Sequence, residues 1–142
     1  MAIAKMTVAD LERFLHVEFP QGFSGGDISI ESADGVSCLL RQRYSDQMLR
    51  PGGTISGPTL MALADFAMYV VLLSAIGPVG LAVTTNLSIN FLRKGQPGQD
   101  VLAAARLLKL GKRLAVGEIN LLSGTSPDPI AHAISTYSIP NP

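Results

Sequence analysis

One carboxylate stands out because it lies in the middle of an apolar segment. In residues 60–73 nearly every side chain is apolar, and Asp65 is the one charged residue among them. A lone carboxylate in such surroundings loses its hydration unless it meets a partner or faces a cleft. Carboxyls in this environment serve as acids, bases or nucleophiles, although structural pairs use the same environment. Asp65 is therefore a candidate catalytic group, and the alternative is a structural Asp that is hydrogen-bonded to a neighbouring backbone.

The residues around this carboxylate predict a glycine-rich turn followed by a long helix. The turn is Pro51-Gly52-Gly53-Thr54, and Ser56-Gly57-Pro58-Thr59 starts the helix, since proline fits the first helical position. A helix that is apolar on all faces is either buried or spans a membrane. No charge occurs between residues 66 and 91, but Gly77-Pro78-Val79-Gly80 interrupts that run, and polar residues then alternate from Thr84 onwards. This alternation has strand period, so a buried core helix is favoured over a membrane span.

The rest of the chain reads as strands preceded by one short helix. Thr7 caps an amphipathic helix over residues 7–15, and residues 20–26 are predicted to form a loop. Asp34-Gly35 indicates a hairpin turn, and Gly117 marks a candidate bulge. The predicted strands cover residues 27–32, 36–44, 82–91, 100–110, 113–123 and 130–138. Antiparallel strands around one long helix give an α+β fold whose sheet wraps the helix.

The composition indicates one domain with a partner of its own kind. The 142 residues are 47% apolar and only 15% charged, so a second copy is expected to cover some apolar surface. Eleven basic and eleven acidic residues balance to a formal charge of zero. The chain therefore lacks the excess of basic residues that would indicate nucleic acid or an anionic membrane as a partner.

The cysteine and histidine content excludes several kinds of site. Cys38 is the only cysteine, which excludes an internal disulfide and a multi-thiolate metal site. His16 and His132 are far apart in sequence and pair with no catalytic group, so we predict no metal site and no catalytic role for either. The first fourteen residues lack a basic stretch followed by a long apolar one, so no signal peptide is predicted and a cytoplasmic location is expected.

Three segments together resemble the PaaI-like acyl-CoA thioesterases, a family with the hotdog fold. They are RPGGTISGPTLMALAD, TTNLSINFLRKG and LGKRLAVGE, which cover residues 50–65, 84–95 and 110–118. The resemblance implies a single hotdog domain over residues 1–142, with an antiparallel sheet wrapped around one long central helix. It also implies hydrolysis of an acyl-CoA thioester without a metal or redox cofactor, coenzyme A being part of the substrate.

The same resemblance assigns roles to residues at the start of the helix. The family often carries His-Gly-Gly there, with an Asp nine residues beyond the His; that spacing starts at Ser56 and ends at Asp65. By resemblance, Asp65 is the general base or the nucleophile. The backbone N–H of Gly57 polarises the thioester carbonyl, and Thr84 on the next strand orients water. A fixed dipole at a helix N-terminus stabilises the charge that develops on such a carbonyl oxygen.

Two of these positions depart from the family pattern. Arg50 stands where the family has Asn, and its guanidinium offers only donors, for a carboxylate, a phosphate or Asp65 itself. Ser56 stands where the family has the His of its His-Gly-Gly motif, so the imidazole is replaced by a hydroxyl. Both departures motivate a rival function, an acyl-CoA binding protein of the same fold without catalysis. A hotdog hydratase ranks lower, since those sites pair an acid with a His, and a purely structural subunit is the remaining alternative.

Coenzyme A carries phosphates, so cations are expected at the mouth of the site. The resemblance assigns this role to two turns, formed by Arg93, Lys94 and Gly95 and by Gly111, Lys112 and Arg113. Their small residues would let a phosphate approach backbone N–H groups. The alternative is the ordinary surface charge of hairpin turns.

The spacing on the central helix requires a second subunit. Gly57 and Asp65 are eight residues apart, which is about 12 Å along one helix at 1.5 Å per residue. They cannot serve one small carbonyl from a single chain. The family places one residue from each subunit at each site, so we expect a homodimer, and a dimer of dimers because hotdog dimers often pair again.

Overall fold

The computed structural model describes residues 4–23 and 27–141 of the chain, so residues 24–26 of the predicted loop lie outside the described part. The helices are α1 (Val8–Glu18), α2 (Pro20–Phe23) and α3 (Gly57–Ile76). The strands are β1 (Ile28–Ala33), β2 (Ser37–Gln42), β3 (Leu49–Arg50), β4 (Thr54–Ile55), β5 (Val83–Phe91), β6 (Val101–Leu110), β7 (Leu114–Ser123) and β8 (Pro129–Ser138). A 3-10 turn occupies Asp46–Met48.

A six-stranded antiparallel sheet packs against the single long helix, which confirms the predicted α+β fold. The strand order is β1-β2-β6-β7-β8-β5, so β5 forms one edge. α3 contacts β2, β5, β6, β7 and β8 and fills the core between them. The helix is long and apolar enough to cross a membrane, but it is the buried core helix of this fold.

Local sequence signals account for the start of each long helix. Thr7 forms a capping box with Asp10, and each residue accepts a hydrogen bond from the backbone N–H of the other. Ser56 caps α3 by accepting a hydrogen bond from the backbone N–H of Thr59. The turn before α3 needs its glycines, since Gly52 and Gly53 have φ values of 102° and 80°.

Gly117 allows α3 to approach the sheet closely. A Cβ at this position would lie 2.5 Å from the sulfur of Met68, whose side chain is fully buried. The bulge predicted at Gly117 lies in the facing strand instead, between Leu107 and Lys109. The glycine therefore serves helix packing, and the irregularity falls on its partner strand.

The structure adds small elements that the sequence did not indicate. Residues 20–23 of the predicted loop form α2, since Pro20 opens a helical turn and Phe23 is buried against the ring of Phe66 at a centroid distance of 6.0 Å. The turn before α3 is flanked by the two-residue strands β3 and β4. Both additions depend on tertiary contacts, and neither is long enough to show a periodic pattern in the sequence.

Candidate functional site

Two hydroxyl groups converge on one oxygen of the Asp65 carboxylate. Thr84 Oγ1 donates to Asp65 Oδ1 at 2.6 Å, and the Tyr137 hydroxyl donates to the same oxygen at 3.2 Å. Tyr137 also lies 3.2 Å from the backbone carbonyl oxygen of Asp65. The two donors face each other in register on β5 and β8. Within the described residues no donor contacts Oδ2, so that oxygen is free to accept a proton from water or to attack.

Tyr137 is the site residue that sequence analysis missed. Its side chain is only 4% exposed. Burial raises the pKa of Tyr137, and the neighbouring charge of Asp65 raises it further, so the hydroxyl stays protonated and donates. One signal was present, since Tyr137 falls on the inward parity of the last strand, where a phenol needs a hydrogen-bond partner.

An open cleft of about 940 Å³ runs along α3 beside this carboxylate. Asp65, Thr84 and Tyr137 all line it. Its wall includes the rings of Phe19 and Phe66, whose centroids are 5.7 Å apart. A mainly apolar cleft therefore lies next to a hydrogen-bonded carboxylate.

The start of α3 presents one free backbone donor. The Ser56 hydroxyl accepts from the Thr59 N–H at 3.3 Å and lies 2.8 Å from the Thr59 hydroxyl, so it is used in capping. Pro58 has no N–H. Within the described residues the Gly57 N–H has no hydrogen-bond partner, and it lies at the N-terminal, positive end of the helix dipole. A Cβ on Gly57 would lie 3.3 Å from the ring of Phe91.

Gly57 and Asp65 do not meet within one chain. Both belong to the continuous helix α3, about 12 Å apart along its axis. Gly57 packs against Phe91 at the end of β5, whereas Asp65 accepts its hydrogen bond from Thr84 at the start of β5. The two groups thus lie at opposite ends of the same edge strand.

Arg50 is exposed and does not contact Asp65 in the single chain. It pairs with Thr54 in the short hairpin before α3, where its carbonyl accepts from the Gly53 N–H at 3.0 Å. Asp65 takes part in no ion pair within the described residues. Pairing between Arg50 and Asp65, which the sequence left open, is therefore absent from a single copy of the chain.

The two basic turns also lie at opposite ends of β5. Arg93 follows the end of β5 and donates to the Pro129 carbonyl at 2.7 Å, and with Lys94 it lines a polar cleft of about 530 Å³. Arg113 lies beyond the start of β5, where its carbonyl accepts from the Ile139 N–H at 2.7 Å. Lys112 belongs to the same turn as Arg113.

The glycines of these turns have different environments. Gly95 is buried, and a Cβ there would lie 2.7 Å from the side chain of Ile55. Close packing against Ile55 therefore explains why a glycine occupies position 95, and access for a phosphate is not needed to explain it. Gly111 is partly exposed and donates to the Leu114 carbonyl at 2.8 Å, which closes the turn between β6 and β7.

Two other titratable side chains, His132 and Cys38, lie outside the group of residues around Asp65. His132 lies 3.1 Å from Glu118 on the outer face of the sheet. The hydrogen bond from His132, followed by that from Arg106, lowers the pKa of Glu118. Burial raises the pKa of Cys38 to about 12, so its thiol is unreactive at neutral pH.

Comparisons with known proteins agree with this fold. Residues 52–129 match the family model of the thioesterase superfamily. The chain is similar to a protein of Silicibacter sp. TM1040 that is described provisionally as a thioesterase, with 43% identity and a TM-score of 0.88 over 97% of this chain and 94% of that one. No curated protein gives a significant match.

Two more distant solved structures share the fold. The E. coli PaaI protein from the phenylacetic acid degradation operon is 23% identical, with a TM-score of 0.76 over 90% of this chain and 94% of that one. A hypothetical thioesterase protein from Streptococcus pneumoniae TIGR4, solved with coenzyme A, is 18% identical, with a TM-score of 0.76 over 92% of this chain and 97% of that one. At these identities the likeness supports the fold alone.

Proposed function

The chain belongs to the thioesterase superfamily and has its hotdog fold, and from that premise we propose that it is an acyl-CoA thioesterase. The observation that carries the proposal is Asp65, which is held by Thr84 and Tyr137 through one oxygen and lies beside an apolar cleft with its other oxygen free. A positioned carboxylate of this kind activates water as a general base or attacks the carbonyl directly. The cleft provides the complementary feature, a chamber for the acyl group.

The proposed reaction is hydrolysis of a thioester to an acid and a thiol. The water oxygen bonds to the acyl carbon, the carbon–sulfur bond breaks, and the proton taken by Asp65 passes to the departing thiolate. Negative charge develops on the carbonyl oxygen during this step. The free N–H of Gly57 at a helix N-terminus is suited to stabilise that charge, because its dipole is already oriented. The proposed reaction uses neither a metal ion nor a redox cofactor.

The proposed site needs two copies of the chain, and the edge strand β5 offers the contact. Its backbone edge is unpaired, and four large apolar side chains around its two ends are exposed: Leu81 by 80%, Val83 by 55%, Phe91 by 52% and Leu92 by 52%. An exposed edge of this kind pairs readily with another chain. Two identical edges related by a two-fold axis pair antiparallel. The end of one β5 then lies beside the start of the other and covers the apolar residues of both.

This pairing would complete the site. Because Gly57 packs against Phe91 and Asp65 contacts Thr84, antiparallel pairing brings Gly57 of the partner subunit towards Asp65. The same operation brings the Arg93 turn of one subunit towards the Arg113 turn of the other. Each proposed site would then contain the carboxylate, the oxyanion donor and a cluster of cations for the phosphates of coenzyme A. The coenzyme A in the pneumococcal structure supports this choice of substrate.

The start of α3 favours a second candidate function, an acyl-CoA binding protein without catalysis. The Ser56 hydroxyl is used in capping the helix, and Arg50 is exposed and makes no ion pair with Asp65 within one chain. Neither side chain adds an acid or a neutral amide beside the carboxylate. This candidate predicts tight binding of acyl-CoA esters without release of thiol.

A panel of thioesters separates the two candidates. Purified protein is incubated with short-chain, medium-chain, long-chain and aromatic acyl-CoA esters, and released thiol is measured with a chromogenic disulfide while ester binding is measured by calorimetry. We expect continuous multiple-turnover thiol release from at least one ester class. Binding without thiol release would contradict the hydrolase and support the binding protein. Neither binding nor release with any ester would contradict both.

A further inference from the structure

We propose that Tyr137 is a positioning residue, which fixes the Asp65 carboxylate so that Oδ2 is the oxygen that reacts. The inference rests on the proposed hydrolytic function and assigns a role to a side chain 72 positions away from Asp65 in sequence. Tyr137 acts through Asp65 and is not itself assigned a contact with the thioester.

The hydrogen bonds of Tyr137 constrain the whole Asp65 side chain. One hydroxyl lies 3.2 Å from Oδ1 and 3.2 Å from the backbone carbonyl oxygen of the same residue. Contact with both the carboxylate and the backbone of Asp65 limits rotation of the carboxylate relative to the helix. Thr84 donates to the same Oδ1 from the opposite strand. With two donors on Oδ1, the carboxylate presents Oδ2 to the cleft.

The ring of Tyr137 packs against a second tyrosine ring that is itself hydrogen-bonded. It stacks on Tyr69 with centroids 6.1 Å apart and an interplanar angle of 23°. The Tyr69 hydroxyl donates in turn to the Gly80 carbonyl at 3.2 Å. Thr84 lies on the exposed edge strand, whereas Tyr137 is buried, so Tyr137 is the donor whose position the core determines.

The protonation state of Tyr137 suits a donor and not an acid. Burial, supplemented by the charge of Asp65, raises the pKa of its hydroxyl, so the proton is retained at neutral pH. Both atoms that the hydroxyl contacts on Asp65 are acceptors. The leaving thiolate is therefore expected to take its proton from Asp65 and not from Tyr137.

The test replaces Tyr137 by Phe and separates kcat from KM. Tyr137→Phe keeps the ring and its stacking but removes the hydroxyl, so we expect kcat to fall by about ten- to hundredfold, as a misplaced catalytic group costs, while KM stays within about twofold. The matched control is Tyr44→Phe, which removes another tyrosine-to-carboxylate hydrogen bond, to Asp46 at 2.7 Å; neither of these two residues lines the cleft. The control is expected to keep the kcat and KM of the wild type.

Three readouts decide between the possible roles of Tyr137. Thermal unfolding of Tyr137→Phe reports the folded fraction, so the kcat of folded protein can be compared directly. A Thr84→Val and Tyr137→Phe double variant is expected to lose less than the product of the single losses, because both donors act on Oδ1. An unchanged kcat in Tyr137→Phe, or a change in KM alone, would overturn the inference while leaving the hydrolase intact. A wild type inactive on every ester would overturn the proposed function and this inference together.

Discussion

Replacement of Asp65 by Asn is expected to reduce kcat for thioester hydrolysis by about 10²–10⁴-fold, the usual contribution of a general base. The amide keeps the size of the carboxylate, and its oxygen still accepts from Thr84 and Tyr137. It loses the anionic Oδ2 that takes a proton from water or attacks the carbonyl. The fold and the apolar cleft remain, so the KM for acyl-CoA esters is expected to change little. Steady-state thiol release measures both constants.

The control for Asp65→Asn is the same substitution at an exposed carboxylate. Asp46 accepts a hydrogen bond from Tyr44 on the surface and does not line the cleft. Asp46→Asn is therefore expected to retain the turnover of the wild type. Full turnover by Asp65→Asn on every ester that the wild type hydrolyses would remove Asp65 from the mechanism.

Removal of the N–H of Gly57 is expected to have the second largest effect. Gly57→Pro deletes this donor at the first position of α3, where the φ of proline is helical. Because Pro58 follows and disfavours the α region at position 57, the midpoint of thermal unfolding must show that the variant still folds. Ser56 before it has φ −73° and ψ 149°, a conformation that a following proline allows. The loss of one oxyanion donor is expected to lower kcat by about 10²–10³-fold. The measurement is kcat with the best ester of the panel, beside the midpoint of thermal unfolding.

Gly57→Ala is the matched control because it adds the same Cβ and keeps the N–H. In both variants the Cβ lies 3.3 Å from the ring of Phe91, which must shift slightly. Any loss that comes from this contact alone appears equally in both. The expected result is that the alanine variant remains much more active than the proline variant. Equal activity of the two would show that the N–H does not contribute to the reaction.

The fold was predictable because its elements carry local signals. Strand alternation located β5 to β8 within a residue or so, and the Ser56-Gly57-Pro58 start located α3. Asp-Gly gave the hairpin between β1 and β2. α2 was missed because a four-residue helix lacks periodicity, and its stability comes from burial of Phe23 against Phe66.

The site was only partly predictable because its contacts depend on register. Asp65 was evident as a charge in an apolar helix, and Thr84 followed from the family resemblance. Tyr137 was not evident, since it reaches Asp65 only through the pairing of β8 with β5 beneath α3. The two basic turns gave no sign that they lie at opposite ends of β5, because that separation follows from the order β6-β7-β8-β5. The roles of the predicted site residues remain predictions.

The central claim is that each site combines Asp65 of one subunit with Gly57 of the other. The most direct test is complementation between two inactive variants. Asp65→Asn and Gly57→Pro are co-expressed with different affinity tags, and the mixed dimer is purified through both tags. In this dimer one site carries both substitutions, whereas the other combines the intact Asp65 of one chain with the intact Gly57 of its partner.

We predict that the purified mixed dimer recovers about half of the wild-type kcat per dimer, since one of the two sites of a two-fold dimer is intact. Each parent homodimer, measured under the same conditions, has two damaged sites and stays at its low rate. A mixed species no more active than the average of its parents would contradict the account, because a site contained within one chain cannot be restored by a partner.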